Sequence, residues 1–277
     1  MKARGGDPAV LGRHACWTDM MPDWTISRGD GVSRAALFTL IVGTVGMAVV
    51  AAITGALPKA FFAAFSPGAP IAIVLSCLVA VGAAAALVKT WSIFGVRIAI
   101  SWWSVAALAS LFHAAAKAGV ATAWVSPAEA VMIALALLFL GQGKTESLLR
   151  LLVGGVMVML VLFGAIHLVH HDSIAELIPA RFPARDTLPF VTGTIMIIGA
   201  AGLLLPTTRH IAALVVAAMF ASWIPLVHLP RILATPDDAS EWIFALTALC
   251  LVGVLLAVAG SVPAPPLVSA PPEEGDA

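Results

Sequence analysis

The chain has 277 residues, of which 61% are hydrophobic and only 11% are charged, and its mean hydropathy is +1.02. These values exclude a soluble globular enzyme, whose composition would be roughly 45–50% apolar and 25% charged. Fifteen basic residues balance fifteen acidic ones, so the chain lacks the net positive charge that favours a nucleic-acid partner. The composition therefore predicts an integral membrane protein whose main partner is the lipid bilayer.

Eight apolar runs are long enough to be membrane-spanning helices. Crossing about 30 Å of hydrocarbon takes about 20 residues of α-helix. Short segments rich in Pro and Gly separate the runs, and none of these segments is long enough to form a soluble domain. We therefore predict an all-α polytopic transmembrane helix bundle of about eight spans. The spans are residues 35–55, 69–88, 92–112, 124–141, 148–169, 187–205, 211–227 and 242–261.

The pattern divides the chain into two membrane halves between two polar tails. We predict a cytoplasmic tail over 1–34, four-span halves over 35–141 and 148–261, and a disordered, Pro-rich acidic tail over 262–277. The helix that opens at Gly95 runs to His113, and the one that opens at Thr208 runs to His228. This correspondence predicts either two parallel four-helix repeats or an unrelated addition to one four-helix unit.

The basic residues beside the spans predict the orientation of the protein. With the N-terminus in the cytoplasm, ten Lys and Arg residues lie on that side and five on the other. Because cytoplasmic loops carry the excess of Lys and Arg, both termini are predicted to be cytoplasmic. We expect a multi-pass protein of the inner (plasma) membrane.

Five short motifs of the second half resemble a known family. They are Gly164-Ala-Ile-His167, Ile174 to Pro179, Val191-Thr192-Gly193, Gly202 to Arg209 and Trp223 to Arg231. Together they closely resemble the DoxX and DoxX-like family of small four-helix membrane proteins, over about 148–261. The first half is similar in hydropathy but not in motif.

The resemblance implies an accessory or small subunit of a membrane redox system. The named family member is a subunit of a thiosulfate:quinone oxidoreductase, and other relatives are linked to redox or thiol-stress partners. A quinone and a redox partner subunit are therefore the implied cofactor and partner. Relatives commonly carry an acidic residue shortly after the Thr-Gly of the second helix, where this chain reads Thr194-Ile195-Met196. An activity that depends on that carboxylate is not implied here.

Histidines supply the candidate site. His167, His170 and His171 stand at i, i+3 and i+4, which predicts that they share one helix face. His113 and His228 lie at span ends on the same, non-cytoplasmic side, and Glu176 belongs to a loop there. Imidazoles near carboxylates can exchange protons with a quinone head group at the membrane interface, because histidine titrates in the working pH range. These six residues form the predicted quinone site.

Other interpretations of the same residues stay open. Neutral imidazoles could bind a metal ion or hold a haem, which is less favoured because the three cysteines are scattered and no Cys/His motif occurs. A small-solute transporter is the third possibility, disfavoured because no buried Asp, Glu, Lys or Arg stands near the middle of a predicted span; Glu129 falls near the start of the fourth. In a non-catalytic scaffold the histidines would only cap helix ends. Whether the protein is an enzyme is left open.

Two further residue types have structural interpretations. The tryptophans lie near predicted span ends, where aromatic side chains anchor a protein at the membrane interface. They include Trp102, Trp103 and Trp223. Closely spaced glycines such as Gly43/Gly46, Gly154/Gly155 and Gly199/Gly202 predict close helix packing.

Overall fold

The computed structural model describes residues 31–63, 65–88 and 92–261. Most of the predicted N-terminal tail and the whole predicted C-terminal tail lie outside these residues. The described residues contain helices and no strand, which confirms the all-α prediction. The α-helices are α1 (Gly31–Thr54), α2 (Lys59–Phe62), α3 (Ala69–Ala84), α4 (Ser92–Ala115), α5 (Val125–Gly141), α6 (Glu146–Val169), α7 (His171–Leu177), α8 (Leu188–Leu204), α9 (Pro206–Trp223), α10 (Leu229–Ala234) and α11 (Ala239–Ala259).

Seven helical segments among these residues are long and apolar enough to cross a membrane. The remaining predicted span, the sixth in chain order, corresponds to α8, an apolar helix of 17 residues. At 1.5 Å per residue it is only about 26 Å long, somewhat shorter than the usual hydrocarbon thickness. The architecture is that of a multi-pass membrane helix bundle.

The seventh span is longer than the sequence predicts. The chain does not leave the helix before Pro230 but continues from Pro206 to Ala234, through a π-helical turn over Ile224–His228. Pro225 and Pro230 have no N–H group to donate to the preceding turn. Instead the N–H of Leu229 donates to the carbonyl of Ile224, five residues back, and this wider turn lets the helix continue past both prolines.

The helices of the two halves have the same neighbours. In the first half α1 packs on α3, α3 on α4, and α4 on α5; in the second half α6 packs on α8, α8 on α9, and α9 on α11. The halves then meet reciprocally, because α1 packs on α11 and α5 packs on α6. The contacts within each half therefore follow the order of the chain, and the halves meet through their first and last helices.

Small residues bring α1 and α11 together at the centre of the bundle. A Cβ atom on Gly253 would lie 2.5 Å from Oγ1 of Thr39 and 3.0 Å from the carbonyl oxygen of Ala36. A Cβ atom on Gly43 would collide with the thiol of Cys250. The backbones therefore approach each other closely, as the predicted glycine packing requires. By contrast, a Cβ atom on Gly154 would have no neighbouring atom within 4 Å among the described residues, so Gly154 does not serve helix packing among them.

Two tryptophans predicted as interfacial anchors lie inside the bundle instead. Trp103 is fully buried and Trp102 nearly so, both near the middle of α4. The short helix α2 turns back against them: the ring of Phe61 packs edge-on against Trp103 with centroids 5.2 Å apart, and Phe62 packs on Trp102 at 5.0 Å. The anchor interpretation is wrong for this pair because the connection between α1 and α3 folds back into the bundle and covers them.

Lys144 joins three helix ends at one end of the bundle. Its ammonium group donates to the hydroxyl of Ser33 at 2.7 Å, at the start of α1, and to the carbonyl of Gly260 at 3.3 Å, just after α11. Gly143, beside it, has a φ of 92°, which glycine adopts without strain and which turns the chain toward α6. A positive charge at the C-terminal end of α11 also complements the helix dipole.

We expect Lys144→Met to destabilise the protein by about 1–2 kcal/mol, because both charge-assisted hydrogen bonds are lost from a partly exposed group. The midpoint of thermal unfolding in detergent measures the effect. Lys117→Met is the control, since Lys117 is exposed in the connection between α4 and α5. Equal midpoints for the two variants would show that Lys144 does not hold the helix ends together.

Candidate functional site

The helices α6 and α8 cross at two glycines, and this crossing sets the position of His167. Gly164 in α6 faces Gly193 in α8: a Cβ on Gly164 would lie 2.8 Å from the carbonyl oxygen of Gly193. A Cβ on Gly193 would lie 2.9 Å from the carbonyl oxygen of Gly164 and 3.0 Å from Cβ of His167. Both glycines belong to the motifs on which the family resemblance depends. They allow the backbones of α6 and α8 to touch next to the His167 side chain.

The His167 ring has a defined orientation. Its Nδ1 lies 2.8 Å from the carbonyl oxygen of Phe163, one turn earlier in α6. Because that carbonyl accepts a hydrogen bond, Nδ1 carries the proton and a neutral ring keeps the lone pair on Nε2. The ring stacks on the indole of Trp223 in α9, with centroids 5.6 Å apart and planes 21° from parallel. His167 and Trp223 thus form one aromatic surface between α6 and α9.

A buried ion pair lies at the same end of the bundle. Nη2 of Arg231 donates to Oε1 of Glu241 at 2.5 Å, and Nη1 donates to the carbonyl oxygen of Leu177 at 3.2 Å. The Glu241 side chain is only 9% exposed and that of Arg231 25%. The pair connects α10 to the first turn of α11 and to the end of α7.

Two polar atoms beside this pair remain open. Nδ1 of His228 and Oε2 of Glu241 are both buried, and neither has a hydrogen-bond partner within the described residues. His228 lies on the π-helical turn, within electrostatic range of Arg231. Buried polar groups are nearly always hydrogen-bonded, so two such atoms without a partner at one end of the bundle indicate a place for a ligand or for water. We call His167, Trp223, His228, Arg231 and Glu241 the polar cluster.

The predicted site residues separate into two groups. The structure places His167 on α6 and His228 on the π-helical turn after α9, at the same end of the bundle. The prediction that His167, His170 and His171 share one helix face is wrong, because α6 ends at Val169, His170 caps it and His171 begins α7. The His170 side chain is exposed.

The other three predicted residues have different surroundings. The ring of His171 packs edge-on against Phe190 with centroids 4.6 Å apart, and its Nδ1 lies 3.3 Å from Oδ1 of Asp172. Glu176 is exposed on α7. His113 ends α4, which packs on α1, α2, α3 and α5 in the first half. The structure therefore does not bring His113 to the polar cluster.

The part of the chain that the structure describes contains no group of three His, Cys, Asp or Glu side chains that could hold a metal ion. The polar groups of the cluster are one guanidinium, two imidazoles, the indole N–H of Trp223 and a carboxylate that is already paired with Arg231. This set suits an organic group with hydrogen-bonding oxygens better than a cation, since Arg231 repels positive charge.

Sequence reasoning missed the contributions of Arg231, Glu241 and Trp223 to this site. One signal was available for Glu241: Asp238-Ala-Ser-Glu241 has the spacing of a capping box at a helix start. Asp238 does cap α11, with its Oδ1 accepting from the N–H of Ser240 at 2.9 Å. The Glu241 carboxylate turns away to Arg231 instead, and no sequence rule pairs residues across the Pro236 loop.

A family model described as a domain of unknown function, DUF8561, matches residues 156–263. The match begins within α6 and ends just past α11, so it includes the whole polar cluster. It covers less than half of the chain, and nearly the same segment as the second half predicted from hydropathy. No curated protein and no solved structure matches the chain.

Proposed function

We propose that the protein is an accessory subunit of a membrane redox system, that its second half is a DoxX-like bundle, and that the polar cluster binds a quinone head group. The observation that carries the proposal is a pair of buried atoms without a hydrogen-bond partner in the described residues, Nδ1 of His228 and Oε2 of Glu241, at the end of the bundle where Arg231 binds Glu241. The motif resemblance of 148–261 supports the choice of a quinone over other ring compounds.

The residues present fit such a head group. A bound quinone supplies two carbonyl oxygens that accept two electrons and two protons. Arg231 can donate hydrogen bonds to a quinone oxygen, Oε2 of Glu241 can accept one from a hydroxyl of the reduced quinol, and His228 can donate or accept at Nδ1 according to its tautomer. The stacked rings of His167 and Trp223 offer a flat face at the same end of the bundle. These side chains would bind the group, orient it and hold a proton.

The orientation follows from the excess of basic residues. We place both termini in the cytoplasm of an inner membrane, so that the polar cluster lies near the opposite membrane surface. Protons would then be exchanged with the aqueous phase on that side, through the helix ends that surround His228.

A second candidate, a non-catalytic scaffold, is favoured by one observation. His167 donates to a carbonyl of its own helix, and Nδ1 of His210 lies 3.0 Å from the carbonyl oxygen of Ala259 at the end of α11. Histidines in this bundle therefore bond to main-chain carbonyls, as the capping interpretation predicts.

Quinone binding distinguishes the two candidates. The full-length protein, purified in detergent, is extracted for bound quinone and then titrated with a benzoquinone that carries a short alkyl tail. We expect saturable binding by the unmodified protein. His228→Ala should weaken it at least about tenfold, since the loss of one hydrogen bond from a desolvated site costs about 1.4 kcal/mol or more.

His113→Ala is the matched control, because His113 is also partly buried near a helix end but lies in the first half. It should bind the benzoquinone as the unmodified protein does. Absence of binding by the unmodified protein, or equal binding by the His228→Ala variant, would overturn the quinone proposal and favour the scaffold.

A further inference from the structure

One ionisable residue lies inside the bundle at membrane depth and has no part in the polar cluster. The 3₁₀ turn over Ala121–Trp124 extends α5 into a 21-residue span, Ala121–Gly141, in which Glu129 is the ninth residue. The expectation that no span carries an ionisable residue near its middle is therefore wrong. It failed because the predicted span begins at residue 124, whereas the helical turn over Ala121–Trp124 lengthens the span at that end.

Glu129 faces the interior of the bundle. Ile133, Ala136 and Leu140 follow it at four, seven and eleven residues, along the same face of α5. Ile133 and Ala136 are fully buried and Leu140 is only 4% exposed. Glu129 itself is partly buried.

The thiol of Cys250 faces the same region from α11. Cys250 is fully buried near the middle of its helix, and the Glu129 carboxyl group is close enough to act on it electrostatically. The Cys250 thiol makes a weak contact with the carbonyl oxygen of Leu40 at 3.8 Å. Within the described residues, the carboxyl group of Glu129 has neither a hydrogen bond nor an ion pair.

Two further polar side chains line this part of the bundle, and both are satisfied. The hydroxyl of Thr44 donates to the carbonyl oxygen of Leu40 at 2.7 Å and accepts from Nε1 of Trp103 at 2.8 Å. The carbonyl of Leu40 thus receives both Thr44 and Cys250. Polar groups from α1, α4 and α11 meet at mid-depth, and Glu129 adds the one carboxyl group from α5.

The other charged or titratable groups on helices packed against α5 stand closer to the ends of the bundle. They are Arg34 on α1, Lys59 on α2, Arg97 and His113 on α4, Glu146, Arg150 and His167 on α6, and Glu241 on α11. A charged side chain at the centre of a membrane helix costs about 2.5–3.5 kcal/mol on insertion scales, so an acid retained there indicates a functional site.

We propose that Glu129 is a proton-binding site within the membrane, at which the carboxyl group takes up and releases a proton beside the Cys250 thiol. In the exchange an O–H bond forms when a proton arrives from the aqueous phase and breaks when it leaves, with no change in oxidation state. The proposal is independent of quinone binding.

The test is chemical labelling of the full-length protein in lipid vesicles with dicyclohexylcarbodiimide. This apolar reagent attacks carboxyl groups only when they are protonated, and it concentrates in the membrane. We expect Glu129 to be labelled, with a rate that falls as the pH rises, while the exposed Glu146 and Glu176 are labelled far less. Peptide mass spectrometry locates the label.

Two variants complete the experiment. Glu129→Gln keeps the shape of the side chain, so it should remove the label without lowering the thermal unfolding midpoint. Cys250→Ser should shift the pH at which labelling is half-maximal, because the group beside the carboxyl changes. An unlabelled Glu129 in the unmodified protein, or a labelling rate that does not depend on pH, would overturn the proposal.

Discussion

Replacing Gly164 with alanine is expected to separate α6 from α8 and to displace His167. The new methyl group would lie 2.7 Å from Cγ1 of Ile197 and 2.8 Å from the carbonyl oxygen of Gly193, well inside van der Waals contact. The Ile197 side chain can move, but the backbone carbonyl cannot move without shifting α8. Overpacking of this kind typically costs about 1–3 kcal/mol. The unfolding midpoint in detergent should fall accordingly.

The same helix provides the control. Gly154 lies in α6 ten residues earlier, with no atom within 4 Å of where its Cβ would be. Gly154→Ala should therefore leave the midpoint unchanged or raise it slightly, since alanine favours a helix over glycine. If the two variants had equal stability, the helix crossing at Gly164 and Gly193 would not be as close as the structure shows.

The second large effect is expected when the ion pair of the polar cluster is broken. Arg231→Met leaves both oxygens of the nearly buried Glu241 carboxylate without a partner. Breaking a fully buried pair costs about 3–5 kcal/mol, and the partial exposure of Arg231 reduces this to about 2–3 kcal/mol. A fall in the thermal unfolding midpoint and a loss of benzoquinone binding should occur together.

Two comparisons distinguish the buried charge from the change of shape. The double variant Arg231→Met with Glu241→Met should recover most of the lost stability, because no charge is left buried, but should not recover binding. Arg150→Met removes the partner of Glu146 in a pair whose side chains are 78% and 67% exposed. It should cost at most about 0.5 kcal/mol. A double variant as unstable as Arg231→Met alone would contradict the ion-pair argument.

The two sites differ in their relation to the membrane. The polar cluster occupies helix ends, where α7, the π-helical turn and α10 bring it close to the interface. Glu129 and Cys250 lie at mid-depth among α1, α4, α5 and α11. A head-group site is expected at the interface and a proton site along a path through the bundle, so the two proposals suit the two locations.

The distribution of apolar residues along the chain determined the all-α membrane bundle and the approximate limits of most of its spans. In hydrocarbon every backbone N–H and C=O group must be bonded within its own segment, so a run of about 20 apolar residues has no alternative to a helix. The motif glycines Gly164 and Gly193 could likewise be assigned to close packing, because only a residue without a side chain allows backbones to touch. His167 and His228 could be chosen as polar residues at span ends.

Tertiary structure decided which of these residues meet. Hydropathy does not show which residues of an apolar run are covered by other segments or where its helix begins, so Trp103 was taken for an interfacial anchor and Glu129 for an end residue. The partners of Arg231 and of His167 depend on the residue at which α6 ends, on the π-helical turn and on how the helices of the second half pack together. Those features result from side-chain packing between segments far apart in the chain, whereas periodicity and spacing report only on neighbours within one segment.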